Sequence, residues 1–317
     1  MKNAIVIFFF SFLFFSFNMK AQQKECVFRD NDMLFIYHTS QGRIDGKYTS
    51  YYKNGKIKAE GNFKNNYRYG EWTLWDTTGN MLIKRYYKNP FTFDNLVSEK
   101  QFKITPYVLK YNNDGYLDYF QLKEKMIVTS KRVWRFIPSE NNSLLFEKNI
   151  LQKIITTNIN KDSITAYDTK DDDFNTPLKH SEINSNFVKF IGYKIKEDWF
   201  FDNERMVSEM RIIGICPVAI DTFKHDTIDL YWLYFPKIRR YLAMEKINVV
   251  GVPPEITNYD DLFFYRYFYS NIYKEANFKN KEISDYKNGD DINKEAERIE
   301  INIIEMEHDT WKKLAGI

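Results

Sequence analysis

The chain has 317 residues, of which 44% are apolar, 28% charged and 18% aromatic, with a formal net charge of +3. That is too apolar for a disordered chain and too charged for a polytopic membrane protein. The near balance of charge excludes a polybasic binder of nucleic acid.

Residues 4–17 (AIVIFFFSFLFFSF) are the one long apolar run. A helix that crosses a bilayer needs about 20 apolar residues, so this run falls short. Lys2 precedes it and Asn18-Met19-Lys20-Ala21 follows, which reads as a secretory signal over residues 1–21, cut after Ala21. Loss of Lys2 and Lys20 takes the net charge from +3 to +1. Cys26 and Cys216 are the only cysteines. Export permits a bridge between them, and two free thiols fit the sequence equally well. The polar Gln23-Lys24-Glu25 stands where a lipoprotein signal has small apolar residues, so Cys26 is not read as a lipid anchor.

Residues 46–89 repeat with a period of 24. Gly46, Tyr48, Thr49, Tyr51 and Gly55 recur as Gly70, Trp72, Thr73, Trp75 and Gly79, and Phe63-Lys64-Asn65 recurs as Tyr87-Lys88-Asn89. Asn54-Gly55 and Thr78-Gly79 sit between alternating segments, a hairpin signal because glycine accepts the positive φ of such turns. One hairpin cannot bury an aromatic face alone, so the units are expected to stack. A weaker third copy follows at Tyr111, Gly115, Leu117 and Tyr119. This pattern resembles the MORN-type repeat, in the variant with an N-G or T-G turn between two short strands. The resemblance implies an interaction or scaffold module. A β-meander that extends the main domain is the other reading.

Residues 90–125 read as a linker with strands, closing a repeat region over 22–125. Residues 126–317 read as a mixed α+β domain ending in two helices. MIVTSKRVWRFI predicts a strand running into Pro138. Leu144, Leu145, Ile150, Leu151, Ile154 and Ile155 predict a helix over 141–157, capped by Asn142 or Ser143. SITAYD predicts a short strand. Trp199 to Ile220 predicts two strands parted by Asp202-Asn203-Glu204-Arg205. TIDLYWLYFP predicts an aromatic strand with both faces apolar, Leu230, Trp232 and Tyr234 on one and Tyr231, Leu233 and Phe235 on the other. Pro236 then opens a helix. A further helix is expected over 260–277, capped by Asn258 or Asp260. Ile292, Ala296, Ile299, Ile303 and Met306 predict an amphipathic last helix over 292–314, packed on its own domain.

Motifs of chemistry are missing: there is no G-x-S-x-G, P-loop, G-x-G-x-x-G, C-x-x-C or H-E-x-x-H. His38, His180, His225 and His308 lie too far apart for a local metal pair. Asp171-Asp172-Asp173 lacks the glycine and closing glutamate of a calcium loop and reads as a solvated acidic loop. No cofactor is implied. A pair of hydrolytic carboxylates could lie far apart in sequence, but nothing selects one. Beyond the expected signal, 49 of 296 residues are aromatic. Tyrosine and tryptophan are enriched at interfaces. Without a catalytic motif, this abundance favours an assembly subunit over an enzyme.

Six blocks occur in order along 126–312: KRVWRFIP, SITAYD with DDDF, ERMVSEMRIIGICPVAI, LYWLYFPKIRRYLA, YDDLFFYRYFYSNIYKEAN and AERIEINIIEMEHDTW. Together they resemble the GldN/PorN family of gliding-motility and type IX secretion proteins of Bacteroidetes. The resemblance implies a non-enzymatic periplasmic protein at the inner face of the outer membrane. Its implied partners are a GldK/PorK-type outer-membrane lipoprotein, further copies of itself in a ring, and the periplasmic part of the inner-membrane motor. Trp232, Tyr234, Arg239 and Trp311 are the candidate assembly residues. Family members usually carry a polar stretch where this chain has repeats, which leaves a main ring subunit and an accessory paralogue both open. A second function also remains, an envelope module whose repeats contact protein, glycan or lipid.

Overall fold

A computed structural model describes residues 23–90, 92–98, 107–183 and 188–315; the expected signal lies outside the described residues. The first part is an antiparallel meander of seven strands: β1 (Lys24–Asp30), β2 (Met33–Ser40), β3 (Arg43–Tyr51), β4 (Ile57–Lys64), β5 (Tyr67–Trp75), β6 (Met81–Asn89) and β7 (Thr92–Ser98). Both predicted hairpins are present. Gly55 and Gly79 take φ of +79° and +95°. Their N–H groups donate back to the carbonyls of Tyr52 and Asp76 at 2.9 and 3.1 Å. On the inner face the Trp72 ring lies flat on Gly61, where any Cβ would overlap it, and its Nε1 donates to the Asn62 carbonyl at 3.0 Å. The third copy keeps the same turn, with Gly115 donating to the Asn112 carbonyl at 3.0 Å. Its flanks meet only at Tyr111 and Leu117 and do not join the sheet. Leu117 packs instead with Tyr107, Leu109 and Tyr119 around Phe264.

The second part is built on another sheet, with neighbours in the order β14-β8-β10-β11-β13-β9 and β12 paired to β11. Its elements are β8 (Ile127–Pro138), α1 (Ser143–Phe146), α2 (Ile150–Asn160), β9 (Ala166–Tyr167), β10 (Val188–Asp202), β11 (Val207–Asp221), β12 (Thr227–Asp229), β13 (Trp232–Tyr234), α3 (Phe235–Met244), α4 (Tyr259–Phe264), β14 (Asn271–Glu275) and α5 (Asp290–Ala315). The long β10–β11 hairpin turns at the predicted polar residues. Asp202 accepts the Glu204 N–H at 2.9 Å and Arg205 Nε at 2.5 Å. Ile195, Ile212, Ile215 and Leu233 from the sheet pack against Leu151, Ile155, Ile238 and Leu262 from the helices.

Three expectations need correction. The helix over 141–157 is two helices, because Lys148 and Asn149 sit at φ of 47° and 55° between them. The aromatic strand breaks into β12 and β13, and Phe235 already belongs to α3, which Pro236 opens as expected. The helix over 260–277 stops at Phe264. Asn258 caps it as predicted, accepting the Asp261 N–H at 3.0 Å. Arg266 then turns to φ of 47°, and the chain continues as β14, pairing along the open edge of β8. Ladder hydrogen bonds at that edge outweigh the helical spacing of the apolar residues.

α5 is buried on two sides. Ile299 and Ile303 pack with Val133, Ile272 and Ile283 of the second part. Ile301 and Ile304 pack with Phe35, Tyr37, Tyr48, Phe63, Trp72 and Tyr87 of the meander. Trp311 joins Ala59, Leu74 and Ile83 to Phe201 and Met206. The last helix therefore packs on its own domain, as predicted, and also supplies the core of the repeat sheet.

Candidate functional site

Where α5 crosses the meander, charge is buried along with the apolar side chains. Glu307 pairs with Arg68 at 3.2 Å and Arg85 at 3.4 Å, accepts the Tyr87 hydroxyl, and accepts the Ser208 N–H of β11 at 2.9 Å. One carboxylate thus ties both sheets to α5. Two residues earlier, Glu305 accepts the Tyr48 hydroxyl at 2.7 Å and pairs with Lys58 at 2.6 Å. His308 Nδ1 lies 3.1 Å from Glu305, and its Nε2 lies 3.3 Å from Arg68. Burial pulls the His308 imidazole below its usual value, with Glu305 opposing. Burial also works to raise the Glu307 carboxyl, but Arg68 and Arg85 outweigh it and hold it below the ordinary range.

A similar knot sits in the second sheet. Arg135 pairs with Glu197 and Glu300, and Arg266 pairs with Glu197 at 2.6 Å. Glu197 is likewise held low by Arg266 and Arg135 against the effect of burial. Arg239 forms a bidentate pair with Asp260 at 2.9 and 2.7 Å. Aromatic rings line these guanidiniums. Arg85 lies 3.1 Å from the centre of the Trp311 ring and 3.9 Å from that of Phe93. Arg239 lies 4.4 Å from Tyr116 and 4.6 Å from Tyr119. Planar guanidinium stacks on ring faces while its edge donates to carboxylate, so it suits such interior sites better than lysine does. Much of the aromatic content is spent this way.

Four of the six motif blocks, through Trp134, Asp172, Trp232 and Tyr273, line a polar cleft of 440 Å³ on the face of the second sheet opposite its main core. Trp134 and Trp232 form its floor, beside the buried Cys216, Phe174 and Tyr273. Asp172 accepts Trp134 Nε1 at 2.6 Å and Lys196 Nζ at 3.2 Å, and Asp173 accepts the same ammonium at 2.5 Å. Lys196 thus pairs with two carboxylates of this acidic loop, of which Asp173 stays largely exposed as expected, while Asp171 accepts from backbone N–H groups of the loop itself. Lys274 Nζ lies 4.1 Å from the centre of the Trp134 ring, and Lys194 Nζ lies 5.0 Å from that of Tyr273. This cleft offers ammonium groups on aromatic faces, with Asp229 and Asp172 at its edge. Among the described residues, no group of three or more His, Cys, Asp and Glu is placed to hold a metal ion.

The candidate assembly residues are not one surface. Trp232 is 3% exposed, Arg239 3% and Trp311 1%. All three are interior residues of this chain and not parts of an exposed assembly surface, contrary to expectation. Their neighbours explain why: Trp232 closes the cleft floor, Arg239 neutralises Asp260 inside the core, and Trp311 lies against Arg85. Tyr234 alone is exposed, at 37%, with its ring 5.3 Å from that of Phe174. Gly55 and Gly79 occupy the repeat turns as predicted. Cys26 and Cys216 are free thiols, one in β1 and the other buried in β11 of the second sheet. Burial pushes the Cys216 thiol up to about 12.

Sequence reading missed Arg85, Glu307 and Glu197. A signal for Arg85 existed, because the 24-residue period places it at the position of Gly61, on the inner face of an alternating strand.

Comparison with known families follows the same division. Residues 44–65 and 68–89 match the MORN repeat variant. No curated protein matches the chain. Residues 122–312 match the family described as gliding motility associated protein GldN, a family of motility components and not a known enzyme family. That match takes in the second sheet, its helices and most of α5, well over half of the chain. The chain belongs to the GldN family of gliding motility associated proteins.

Proposed function

We propose that this protein is a non-enzymatic structural subunit of the type IX secretion and gliding machinery, exported to the periplasm. There it sits at the inner face of the outer membrane. A GldK/PorK-type lipoprotein holds it in a ring with further copies of itself, and the periplasmic part of the inner-membrane motor reaches it from below. The observation that carries this reading is the family match across residues 122–312. The structure is consistent with a load-transmitting part. Six of its buried carboxylates, Glu197, Asp202, Glu209, Asp260, Glu305 and Glu307, are engaged by arginine or lysine, and Asp261 accepts from Thr257 and Tyr111 instead. Glu197, Glu305 and Glu307 are held below the ordinary carboxylate range against the effect of burial, and a carboxylate kept ionised is a poor general acid at neutral pH.

Co-isolation tests the reading. A tagged chain expressed in its own host should fractionate with the outer membrane and bring down a lipoprotein, and it should be released when that lipoprotein is deleted. A tagged chain that stays in the soluble periplasmic fraction and retains no envelope protein would count against it.

A further inference from the structure

Sheet edges in folded proteins are normally blunted by bulges, prolines or very short strands, because an open ladder of N–H and C=O groups recruits another strand. β1 is not blunted. It is seven residues long, contains no proline, and pairs with β2 without a register shift from Lys24–Thr39 to Asp30–Met33. Every other strand pair of the meander has at least one shift. β1 is the terminal strand of the meander, with β2 as its sheet neighbour among the described residues. Val27, at its centre, is 58% exposed.

The sequence of β1, Lys24-Glu25-Cys26-Val27-Phe28-Arg29-Asp30, is complementary to itself when reversed. In an antiparallel pair of two copies with the two-fold axis at Val27, Lys24 faces Asp30 of the other copy and Glu25 faces Arg29. Cys26 faces Phe28, and the two valines face each other. The other symmetric registers fail. An axis at Glu25 or Arg29 opposes like charges, and an axis at Cys26 or Phe28 sets charged groups against Val27. Opposite charges across a strand pair stabilise it and like charges destabilise it. Lys24 and Arg29 make no ion pair among the described residues, and Glu25 has only His38, at 3.7 Å. A two-fold axis normal to the sheet also keeps both inner faces on one side. Phe28, which packs on Phe35 with ring centres 6.1 Å apart, would then extend the apolar face towards the second copy.

We infer that β1 is a self-pairing edge, through which two copies of this chain join their repeat sheets into one continuous antiparallel sheet with the axis at Val27. This is a closed, two-fold contact made by the repeat region. It does not depend on the proposed function, and it is separate from any ring contact of the family segment.

Charge exchange tests it on the exported chain. The unsubstituted protein should dimerise across a micromolar-to-millimolar series in sedimentation equilibrium. Glu25→Arg or Arg29→Glu alone should weaken the dimer by about tenfold or more, because each puts like charges opposite one another twice per dimer. An equimolar mixture of the two variants, or the double variant, should recover it. In a Cys26→Ser background, Val27→Cys should form a disulfide-linked dimer on mild oxidation. Native Cys26 should not, because the two copies of Cys26 are two positions out of register, beyond disulfide reach. Unchanged thermal melting confirms that these surface variants fold. Single variants that dimerise like the unsubstituted chain would overturn the inference. So would a chain that stays monomeric with no Val27→Cys cross-link, or a dimer that cross-links through Cys26.

Discussion

Glu307 is the side chain on which both sheets converge, and replacing it with glutamine tests how firmly α5 fastens them. The substitution keeps the shape and removes the charge. The buried Arg85 and the partly buried Arg68 then lose their shared counterion. Arg85 is already strained electrostatically: burial pulls its guanidinium down to about 10, with Tyr87 and Glu307 holding it up. Breaking a buried ion pair by removing one partner costs about 3–5 kcal/mol. The amide can still accept from the Ser208 N–H or the Tyr87 hydroxyl, and each retained hydrogen bond returns about 1 kcal/mol. A net loss of about 3 kcal/mol follows, a large share of the ~5–15 kcal/mol typical of a domain. Urea unfolding followed by tryptophan fluorescence measures it. Hydrogen exchange should rise in β4, β5 and β6, the strands that α5 covers. Adding Arg85→Met should recover part of the loss, since the stranded charge is then gone. A loss below about 1 kcal/mol, or a loss without faster exchange in those strands, would show that the buried charges do not fasten the sheets.

Acid should loosen the same knot. Glu197 and Glu307 sit below their ordinary value of 4.5. Their contribution to stability is therefore whole above that value and drains away as pH falls through the folded values. Urea midpoints should begin to fall below pH ~6.5, where the unfolded chain protonates the His308 imidazole that burial keeps neutral, and fall more steeply below ~4.5; a midpoint that rises on acidification would contradict the assignment. A thiol reagent should label Cys26 in the native protein and Cys216 only after denaturation, and mass spectrometry under non-reducing conditions should find no internal bridge. Trp232→Ala and Trp311→Ala should each cost about 3–5 kcal/mol as cavities in a packed interior. Tyr234→Ala should stay within about 0.5 kcal/mol. Stable Trp232→Ala or Trp311→Ala protein with impaired co-isolation would restore the interface reading of those residues.

The repeat was legible because its information is local. Gly55 and Gly79 mark turns that few other residues adopt, and period-two alternation between them fixes which residues face inwards. The cap at Asn258 and the helix start at Pro236 were legible for the same reason. The segment after Phe264 was not, because its apolar spacing suits a helix, and only the open edge of β8 makes it a strand. Tyr and Trp content misled in a different way. Composition counts rings without saying what they touch, and Trp311 and Tyr119 touch buried guanidiniums rather than a partner. The covering of the repeat sheet by α5 had no sequence signal beyond the apolar residues Ile301 and Ile304, which fall outside the single stripe of Ile299 and Ile303. A helix buried on two sides shows two stripes.

A clean deletion, complemented in trans, tests the central claim most directly. The account predicts that cells without this protein retain type IX cargo inside the envelope and stop gliding, and that the unsubstituted gene restores both. Cargo released at the ordinary rate by the deletion strain, with no related gene compensating, would contradict it.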